Sequence, residues 1–159
     1  MKIREKEPKD RSWIEHLLNE RWGGEGRVVV HGETFNARTL PTVIAGEQDG
    51  VATYHIRRAN GRTFAELITF DALTARCGVG TALIEGLLSK LRAEGVNVLR
   101  VTTTNDNLDA LRFYQRRGFR IIAVRPGAVD ESRRIKPSIP AIGEYAIPIH
   151  DEIELERPV

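Results

Sequence analysis

The fold of this chain is decided by residues 78–91, GVGTALIEGLLSKL, and by a second stretch that follows them, residues 107–119, NLDALRFYQRRGF. Apolar residues recur at helical spacing through the first stretch, which predicts an amphipathic helix with two glycines at its N-terminus. Glycines at that position leave backbone N–H groups open to an anion. The second stretch predicts a helix that carries Tyr114 near its end. A phosphate-bearing ligand and a proton donor are therefore expected within one short unit.

Length and composition indicate one globular domain. Of the 159 residues, 41% are hydrophobic and 29% are charged, which is typical of a soluble single-domain protein. No apolar run approaches the roughly 18 residues of a membrane span, and the N-terminus lacks the apolar core of a signal peptide. The single cysteine, Cys77, excludes an internal disulfide. We therefore expect a cytoplasmic protein without a membrane partner.

The segment ahead of the glycines predicts a three-stranded antiparallel meander. Asp49-Gly50 and Asn60-Gly61 each lie between segments rich in β-forming residues, which favours tight turns with positive φ. The expected strands are residues 42–47, 51–57 and 63–70.

Outside the meander, the hydrophobic pattern predicts alternating helices and strands. The expected helices are residues 8–21, 79–94 and 107–117, and the expected strands are residues 2–5, 97–104, 119–124 and 152–157; residues 28–30 fit either a strand or a buried helix end. The strands near Ala65 and Val98 should be parallel, because they flank a helical crossover. The fold class is therefore α/β (α+β), with a mixed, mostly antiparallel sheet and helices on both faces.

Residues 73–84, LTARCGVGTALI, resemble the acyl-CoA-binding motif of the GNAT superfamily of N-acetyltransferases, which is Gln/Arg-x-x-Gly-x-Gly/Ala between a strand and a helix. Residues 107–119 resemble the second motif of the same superfamily, in the same order and at a matching separation. Ala75 departs from the family, because it stands where Gln or Arg is usual, and Arg76 follows one residue later. The resemblance covers about residues 45–124, within one N-acetyltransferase-like domain over residues 1–159 whose motif core is residues 42–124.

The resemblance implies direct transfer of an acetyl group from acetyl-CoA to a primary amine of a small molecule or peptide. Tyr114 matches the family position of the acid that protonates the departing thiolate, and Glu66 is the candidate base. The strand of residues 98–104 is expected to diverge from its neighbour and to receive the pantetheine amides. The implied cofactor-binding residues are Phe70, Arg76, Cys77, Gly78, Val79, Gly80, Thr81, Ala82, Asn107 and Arg117.

The residues themselves support these roles but leave alternatives. A free alkyl amine has a pKa of about 10 and is protonated at neutral pH, so a base must remove a proton before attack. Burying the carboxylate of Glu66 costs free energy unless it is ion-paired or takes part in the reaction. The alternation of strand residues places Glu66 on the same face as Phe64 and Ile68. The alternative is that Glu66 is an exposed carboxylate on the strand. Tyr114 could equally be a packed helix residue, and Asn107 is also a good N-cap.

The proline-rich connection of residues 125–151 carries no periodic pattern. Such a long connection is usually functional or mobile, and we expect a lip over the acceptor pocket, a homodimer contact or inert packing. None of the four histidines has a metal partner at suitable spacing, so no metal site is expected. Each histidine is expected to have a structural or surface role, with His55 as the next candidate base.

Two other classes of function stay open. An acyl-CoA-binding regulatory module would keep the glycine cradle but have no turnover. A nucleic-acid-binding protein could use the arginines of residues 107–119, but the net charge of only +2 argues against it.

Overall fold

A mixed β-sheet with helices on both faces forms the body of the chain, as the computed structural model shows for residues 1–74 and 77–159. The strands are β1 (Ile3–Glu5), β2 (Arg27–Val30), β3 (Glu33–Asn36), β4 (Thr42–Ala45), β5 (Gly50–Ala59), β6 (Arg62–Ala72), β7 (Val98–Thr104), β8 (Arg120–Arg125) and β9 (Glu152–Pro158). The helices are α1 (Arg11–Trp22), α2 (Val79–Ala93), α3 (Leu108–Arg116) and α4 (Ala128–Ile135).

In the part of the chain that the structure describes, seven strands form one sheet in the order β1-β4-β5-β6-β7-β9-β8, and β2 pairs with β3 alone. The antiparallel meander of β4, β5 and β6 and the parallel pairing of β6 with β7 are both confirmed. The turn at Asn60-Gly61 is also confirmed, with φ of 52° and 73°. The last strand, β9, lies between β7 and β8 and runs antiparallel to both. The predicted α/β (α+β) fold class is therefore confirmed.

The hairpin predicted around Asp49-Gly50 is confirmed, but Gly50 is not part of its turn. The chain reverses over residues 46–49, where Gly46 takes φ of 60°, and Gly50 is already the first residue of β5. A Cβ at Gly50 would lie 2.6 Å from Val79 Cγ1 and 3.0 Å from the carbonyl oxygen of Asp71. Gly50 therefore allows the sheet to pack closely against the start of α2, and it does not adopt the positive φ of a turn glycine.

Each face of the sheet carries its own hydrophobic core. Helices α2 and α3 cover one face, whereas α1 and the β2–β3 hairpin cover the other. The first core includes Tyr54, Leu67, Leu83, Leu87, Leu99, Tyr114 and Leu155, and the second includes Ile14, Leu18, Val28, Phe35, Val51 and Ile68. None of the helices in the two described ranges is long and apolar enough to cross a membrane.

The connection of residues 125–151 is more ordered than its sequence pattern indicated, because it contains α4. The guanidinium of Arg133 donates hydrogen bonds to three backbone carbonyls beyond α4, those of Ile139, Pro140 and Ile149. Lys136 Nζ donates to the carbonyls of Trp22 and Arg27, both at 2.6 Å. The bonds of Arg133 satisfy backbone acceptors within the connection, and those of Lys136 tie it to α1 and β2.

Gly86 in α2 allows a test of this packing. Alanine is the better helix former by about 1 kcal/mol, but a Cβ at Gly86 would lie 2.6 to 2.8 Å from three side-chain atoms of Ile3. We expect Gly86→Ala to lower the free energy of unfolding by about 1–3 kcal/mol, because overpacking outweighs propensity. Ser89→Ala, on the exposed side of the same helix, is the matched control and should be neutral or slightly stabilising. Urea unfolding measures both; a Gly86→Ala protein as stable as the parent contradicts the expectation.

Candidate active site

The pairing of β6 with β7 stops part of the way along both strands. The ladder ends at Leu67 and Val101, although β6 continues to Ala72 and β7 continues to Thr104. Beyond that point, the facing edges of the two strands form no ladder. The divergence predicted for the strand of residues 98–104 is therefore confirmed, and it leaves a gap in the sheet.

A bulge in β6 accompanies the gap. Thr69 pairs with Thr53 and Leu67 pairs with Tyr54, so Ile68 has no partner in the β5 ladder. A bulge of this kind bends its strand and increases the local twist. The bend coincides with the place where β6 leaves β7.

A cavity of about 280 Å³ lies beside this gap. Its volume is near the lower end of the range for small-molecule sites, roughly 300–1,000 Å³. The surface of this cavity is largely apolar, although only half of its lining residues are, and the charged ones are Glu66, Glu152, Arg21 and Lys136. The lining comes from Trp22 of α1, Val28–Val30 of β2, Leu67 and Ile68 of β6, Thr102–Thr104 of β7, Val129 of α4, and Ile139 and Pro140 beyond α4. The segment beyond α4 is thus one wall, a position that agrees with the lip interpretation.

Glu66 lies at the edge of this cavity and is paired. Its side chain is only 13% exposed, and its Oε2 lies 2.6 Å from Nε2 of His31. Its Oε1 lies 3.1 Å from Nε of Arg57, without the angle of a hydrogen bond. The alternative of an exposed strand carboxylate is therefore wrong, and alternation was read correctly, since Ile68 and Leu67 enter opposite cores.

His31 reaches Glu66 from the turn of the β2–β3 hairpin. His31 and Gly32 have φ of 40° and 78°, which makes a two-residue turn with positive φ at both positions. The backbone N–H of His31 donates to the buried carboxylate of Glu152, at 3.1 and 3.2 Å from its two oxygens. The hydrogen bond to Glu66 raises the pKa of the imidazole above its usual range, although partial burial acts in the opposite direction.

The start of α2 exposes backbone donors. Gly78 is the N-cap and takes φ of 73°, and among the described residues no side chain or backbone of another part of the chain lies within 4 Å of the position that a Cβ would occupy. The first bond of the helix runs from the N–H of Ala82 to the carbonyl of Gly78, at 2.9 Å. Because the N–H of Ala82 is already bonded within the helix, it is not free to bind an anion and is not counted in the predicted cradle. The cradle consists of the N–H groups of Val79, Gly80 and Thr81, which have no partner inside an α-helix.

Close contact between α2 and α3 depends on Gly80. A Cβ at Gly80 would lie 2.9 Å from Cε2 of Phe113 in α3. Cys77 is exposed with a free thiol ahead of the cradle. The predicted contribution of Arg76 and the family departure at Ala75 lie outside the described residues.

Arg117 joins the ends of α2 and α3. Its Nε and Nη2 donate to Oγ1 of Thr81 at 3.0 and 2.6 Å, and its Nη1 donates to the carbonyl of Phe113. The guanidinium carbon lies 3.7 Å from the centroid of the Phe113 ring. A second cavity, of about 540 Å³, lies beside these residues, and Arg112 and Arg116 also line it with exposed side chains. Arg117 braces the ends of the two helices, Arg112 is paired with Asp109 at 3.4 Å, and both Arg112 and Arg116 are exposed at the surface.

Tyr114 lies in the last turn of α3, and its ring is buried. Its ring centroid lies 5.2 to 6.1 Å from those of Phe119, Phe113 and Phe70. Burial, aided by the charge of Asp71, raises the pKa of the phenol well above its usual range. The hydroxyl therefore keeps its proton at neutral pH. Among the described residues it has no hydrogen-bond partner, so it is free to donate to a ligand.

Asn107 caps α3, as expected of an asparagine there. Its Oδ1 accepts a hydrogen bond from the N–H of Ala110 at 3.1 Å. Phe70, near the end of β6, packs against Phe113 at 5.5 Å between centroids. Cofactor contacts by Asn107 and Phe70 stay predictions.

Asp71 is a buried carboxylate near the end of β6. Its Oδ2 accepts a hydrogen bond from Nε1 of Trp22 at 2.9 Å, which joins β6 to the end of α1. Burial raises the pKa of Asp71, whereas this hydrogen bond and the charge of Arg21 lower it. The ionised carboxylate is thus less favourable in the folded protein than in water.

Sequence patterns alone did not single out His31 and Glu152 as parts of the site. The available signal was the His31-Gly32 pair between two β-rich runs, since such a pair can form a two-residue hairpin turn. Within residues 1–74 and 77–159, no three His, Cys, Asp or Glu side chains are grouped so that they could hold a metal ion.

Comparison with known sequences gives two kinds of match. A profile of the Acetyltransferase (GNAT) family matches residues 10–119. The chain is 40% identical over 109 residues to the uncharacterized protein YdhI of Bacillus subtilis, over 69% of this chain and 66% of YdhI. It is 32% identical over 150 residues to the uncharacterized protein YxbD of the same organism, over 94% of this chain and 92% of YxbD.

Comparison with solved structures agrees on the fold. The chain superimposes on a GNAT family acetyltransferase from Elizabethkingia anophelis, solved with acetyl-CoA bound, with a TM-score of 0.68. The superposition covers 99% of this chain and 97% of the other at 17% identity. At that identity the likeness shows the fold alone.

Asp71 gives a prediction with a defined sign. Because its pKa is raised in the folded state, its contribution to stability is present at low pH and is lost as pH rises through that raised value. Asp71→Asn keeps an acceptor for Trp22 and removes the charge, so we expect a higher free energy of unfolding at pH 7. The difference should shrink as pH falls toward the ordinary aspartate value of about 3.9.

Urea unfolding between pH 3 and 8 measures this difference. Glu47→Gln removes an exposed carboxylate and is the control, with little change expected. An Asp71→Asn protein that is less stable than the parent at pH 7 would show that the charged hydrogen bond outweighs the burial.

Proposed function

Because the chain belongs to the GNAT acetyltransferase family, we propose that it transfers the acetyl group of acetyl-CoA to the primary amine of a small molecule. The observation that carries this proposal is the gap between β6 and β7, with the carboxylate of Glu66 at its edge. The glycine-rich start of α2 follows β6 in the chain. An extended ligand arm in the gap would bring a thioester to the cavity while its phosphates lie at the helix start.

Several features around the start of α2 fit the phosphates of coenzyme A. Among the described residues, the N–H groups of the cradle have no hydrogen-bond partner, and Gly78 leaves open space where a side chain would stand. Arg112 and Arg116 border the adjacent cavity, and arginine suits phosphate because its planar fork donates two parallel hydrogen bonds. The open edges of β6 and β7 offer backbone partners to the amides of the pantetheine arm.

The chemistry needs one base and one acid from this chain. Acetyl-CoA supplies an acyl carbon activated as a thioester. Glu66 accepts a proton from the ammonium of the acceptor, directly or through water, so that the nitrogen gains a free electron pair. Tyr114 donates its hydroxyl proton to the departing sulfur, because burial keeps that hydroxyl protonated and it has no other partner among the described residues.

The walls of the cavity favour a small acceptor over a peptide. Beyond α4 the chain lies across the cavity, and Lys136 fixes it to α1 and β2. A volume of about 280 Å³ suits a compact amine with an apolar body better than several residues of extended chain.

An acceptor screen with acetyl-CoA tests the proposed function. We expect free thiol to appear with small apolar amines, and at a much lower rate when the same group stands at the N-terminus of a tetrapeptide. Acetyl-CoA binding by calorimetry runs in parallel. Binding without turnover for any amine would support a regulatory module instead, and preference for the peptides would contradict the small-acceptor proposal.

A substitution at the cavity wall sharpens that screen. Ile139→Trp should fill the cavity and lower kcat/KM for the acceptor by at least about tenfold, the scale of a modest change in pocket shape. Its matched control is Ile135→Trp, because Ile135 is 57% exposed on α4 and lies outside the cavity. Acetyl-CoA affinity should be unchanged in both variants; equal kcat/KM in the two would place the acceptor elsewhere.

Tyr114→Phe tests the proton donor. We expect kcat to fall by about 10²-fold, near the lower end for general acid–base groups, because a thiolate is already a fair leaving group. Acetyl-CoA affinity should stay within about twofold, since the ring packing is kept. Tyr54→Phe removes another buried phenol hydroxyl, in the core under α2, and should leave kcat unchanged. Unchanged turnover in Tyr114→Phe would remove the acid assignment.

A further inference from the structure

Glu66 lies between two cavities of different character. On one side is the largely apolar cavity at the β6–β7 gap. On the other side is a cleft of about 220 Å³, which is mostly lined by charged side chains. Glu66 and Thr102 border both cavities. A proton that Glu66 takes from the apolar side therefore has an exit to the charged side.

His31 lines only the charged cleft and holds Glu66 from that side. The donor–acceptor distance of 2.6 Å joins Nε2 to Oε2 directly, and both side chains are less than one-fifth exposed. The backbone that carries the ring is fixed, because His31 lies in a tight turn and its backbone N–H donates to Glu152. The imidazole also lies edge-on to Phe35, with 5.9 Å between ring centroids.

We propose that His31 is a positioning residue whose charge sets the pH at which Glu66 accepts the proton of the acceptor amine. This inference rests on the proposed acetyl transfer. With a protonated imidazole and Arg57 both beside it, the Glu66 carboxylate faces two cations and is a poor proton acceptor. When His31 loses its proton, only Arg57 remains, and the carboxylate becomes a better base.

The proton balance is simple. One N–H proton of the acceptor ammonium passes to Glu66, and the nitrogen electron pair forms the C–N bond as the C–S bond breaks. The second N–H proton ends on the sulfur, either directly or by way of Tyr114, which gives its own proton to the sulfur and recovers one from the nitrogen. Glu66 then releases its proton to water in the charged cleft, so one proton leaves the protein in each turnover.

The direction of the pH dependence follows from the surroundings of His31. The hydrogen bond to Glu66 raises the pKa of His31, so the imidazolium persists above the ordinary histidine value of about 6.5. The rate should therefore rise as pH increases through that raised value. The other charged and titratable groups near His31 and Glu66 are Glu33 of β3, His55 and Arg57 of β5, Arg100 of β7, Arg125 of β8, and Glu152 and Glu154 of β9.

Two measurements test the pair. The first is an NMR titration of the histidine rings, with the His31 signal assigned by its loss in His31→Gln. We expect a midpoint above about 6.5 that falls when Glu66→Gln removes the partner. The second is the pH dependence of kcat at saturating acceptor. We expect the acid limb of His31→Gln to move to lower pH, because glutamine donates to Glu66 without titrating.

Controls separate this role from a structural one. His16→Gln removes an exposed histidine of α1 and should change neither the His31 midpoint nor the acid limb. His31→Asn suits the positive φ, since asparagine tolerates that conformation, and it should shift the limb in the same direction as His31→Gln. If both variants lower the maximal kcat but leave the acid limb of the pH profile in place, His31 has only a structural role and the proposal is overturned.

The outcomes also distinguish this proposal from the proposed function. The pairing is overturned, whatever the activity, if the titration midpoint of His31 is at or below about 6.5 or is the same in Glu66→Gln as in the parent protein. A raised midpoint together with no acetyl transfer to any amine overturns the proposed function, and with it the catalytic meaning of the pair.

Discussion

The early end of pairing between β6 and β7 is the constraint on which the rest of the structure depends. Backbone N–H and C=O groups that face a protein interior need partners. β6 is held on its other side by β5, and β7 is held by β9, so neither strand can move to close the gap. The open edges are therefore a fixed feature of the sheet, and an extended ligand with amide groups has the donors and acceptors to match them.

The two faces of the sheet carry different features around this gap. On one face, α2 and α3 meet through Gly80 and Phe113, and Arg117 fixes Thr81 at the start of α2. That face has the geometry of an anion site. On the other face, α1, the β2–β3 hairpin and α4 enclose the apolar cavity, and the hairpin turn brings a histidine to the carboxylate at its edge. The proposed transfer draws its base, Glu66, from the edge of the cavity and its acid, Tyr114, from the core on the other face.

Sequence alone predicted the parts of this arrangement that depend on local chemistry. Asn60-Gly61, the apolar stripe from Leu83 to Leu91 and the cap at Asn107 act within a few residues, so propensity and periodicity identify them. The role of Gly50 was predicted wrongly, because its packing against Val79 is a long-range contact that no local pattern contains.

The candidate site was predicted only in part for the same reason. Glu66 and Tyr114 could be singled out from the family resemblance, but the partner of Glu66 could not, because His31 lies 35 residues earlier in the chain. The hairpin that carries His31 forms its own two-stranded sheet, outside the main one. A lip of residues 125–151 was among the expectations, but helix α4 within it was missed, and so were the contacts that hold it, since Arg133 and Lys136 bind carbonyls that have no sequence signature.

Amide hydrogen exchange with and without acetyl-CoA tests the central claim most directly. If the cosubstrate lies in the gap, residues 68–72, 79–81 and 102–104 should exchange more slowly when it is present, because their open backbone groups gain partners. β8, at the sheet edge, should be unaffected. Slowed exchange that is absent from residues 68–72 and 102–104, with acetyl-CoA bound, would contradict the assignment of the gap as the ligand site.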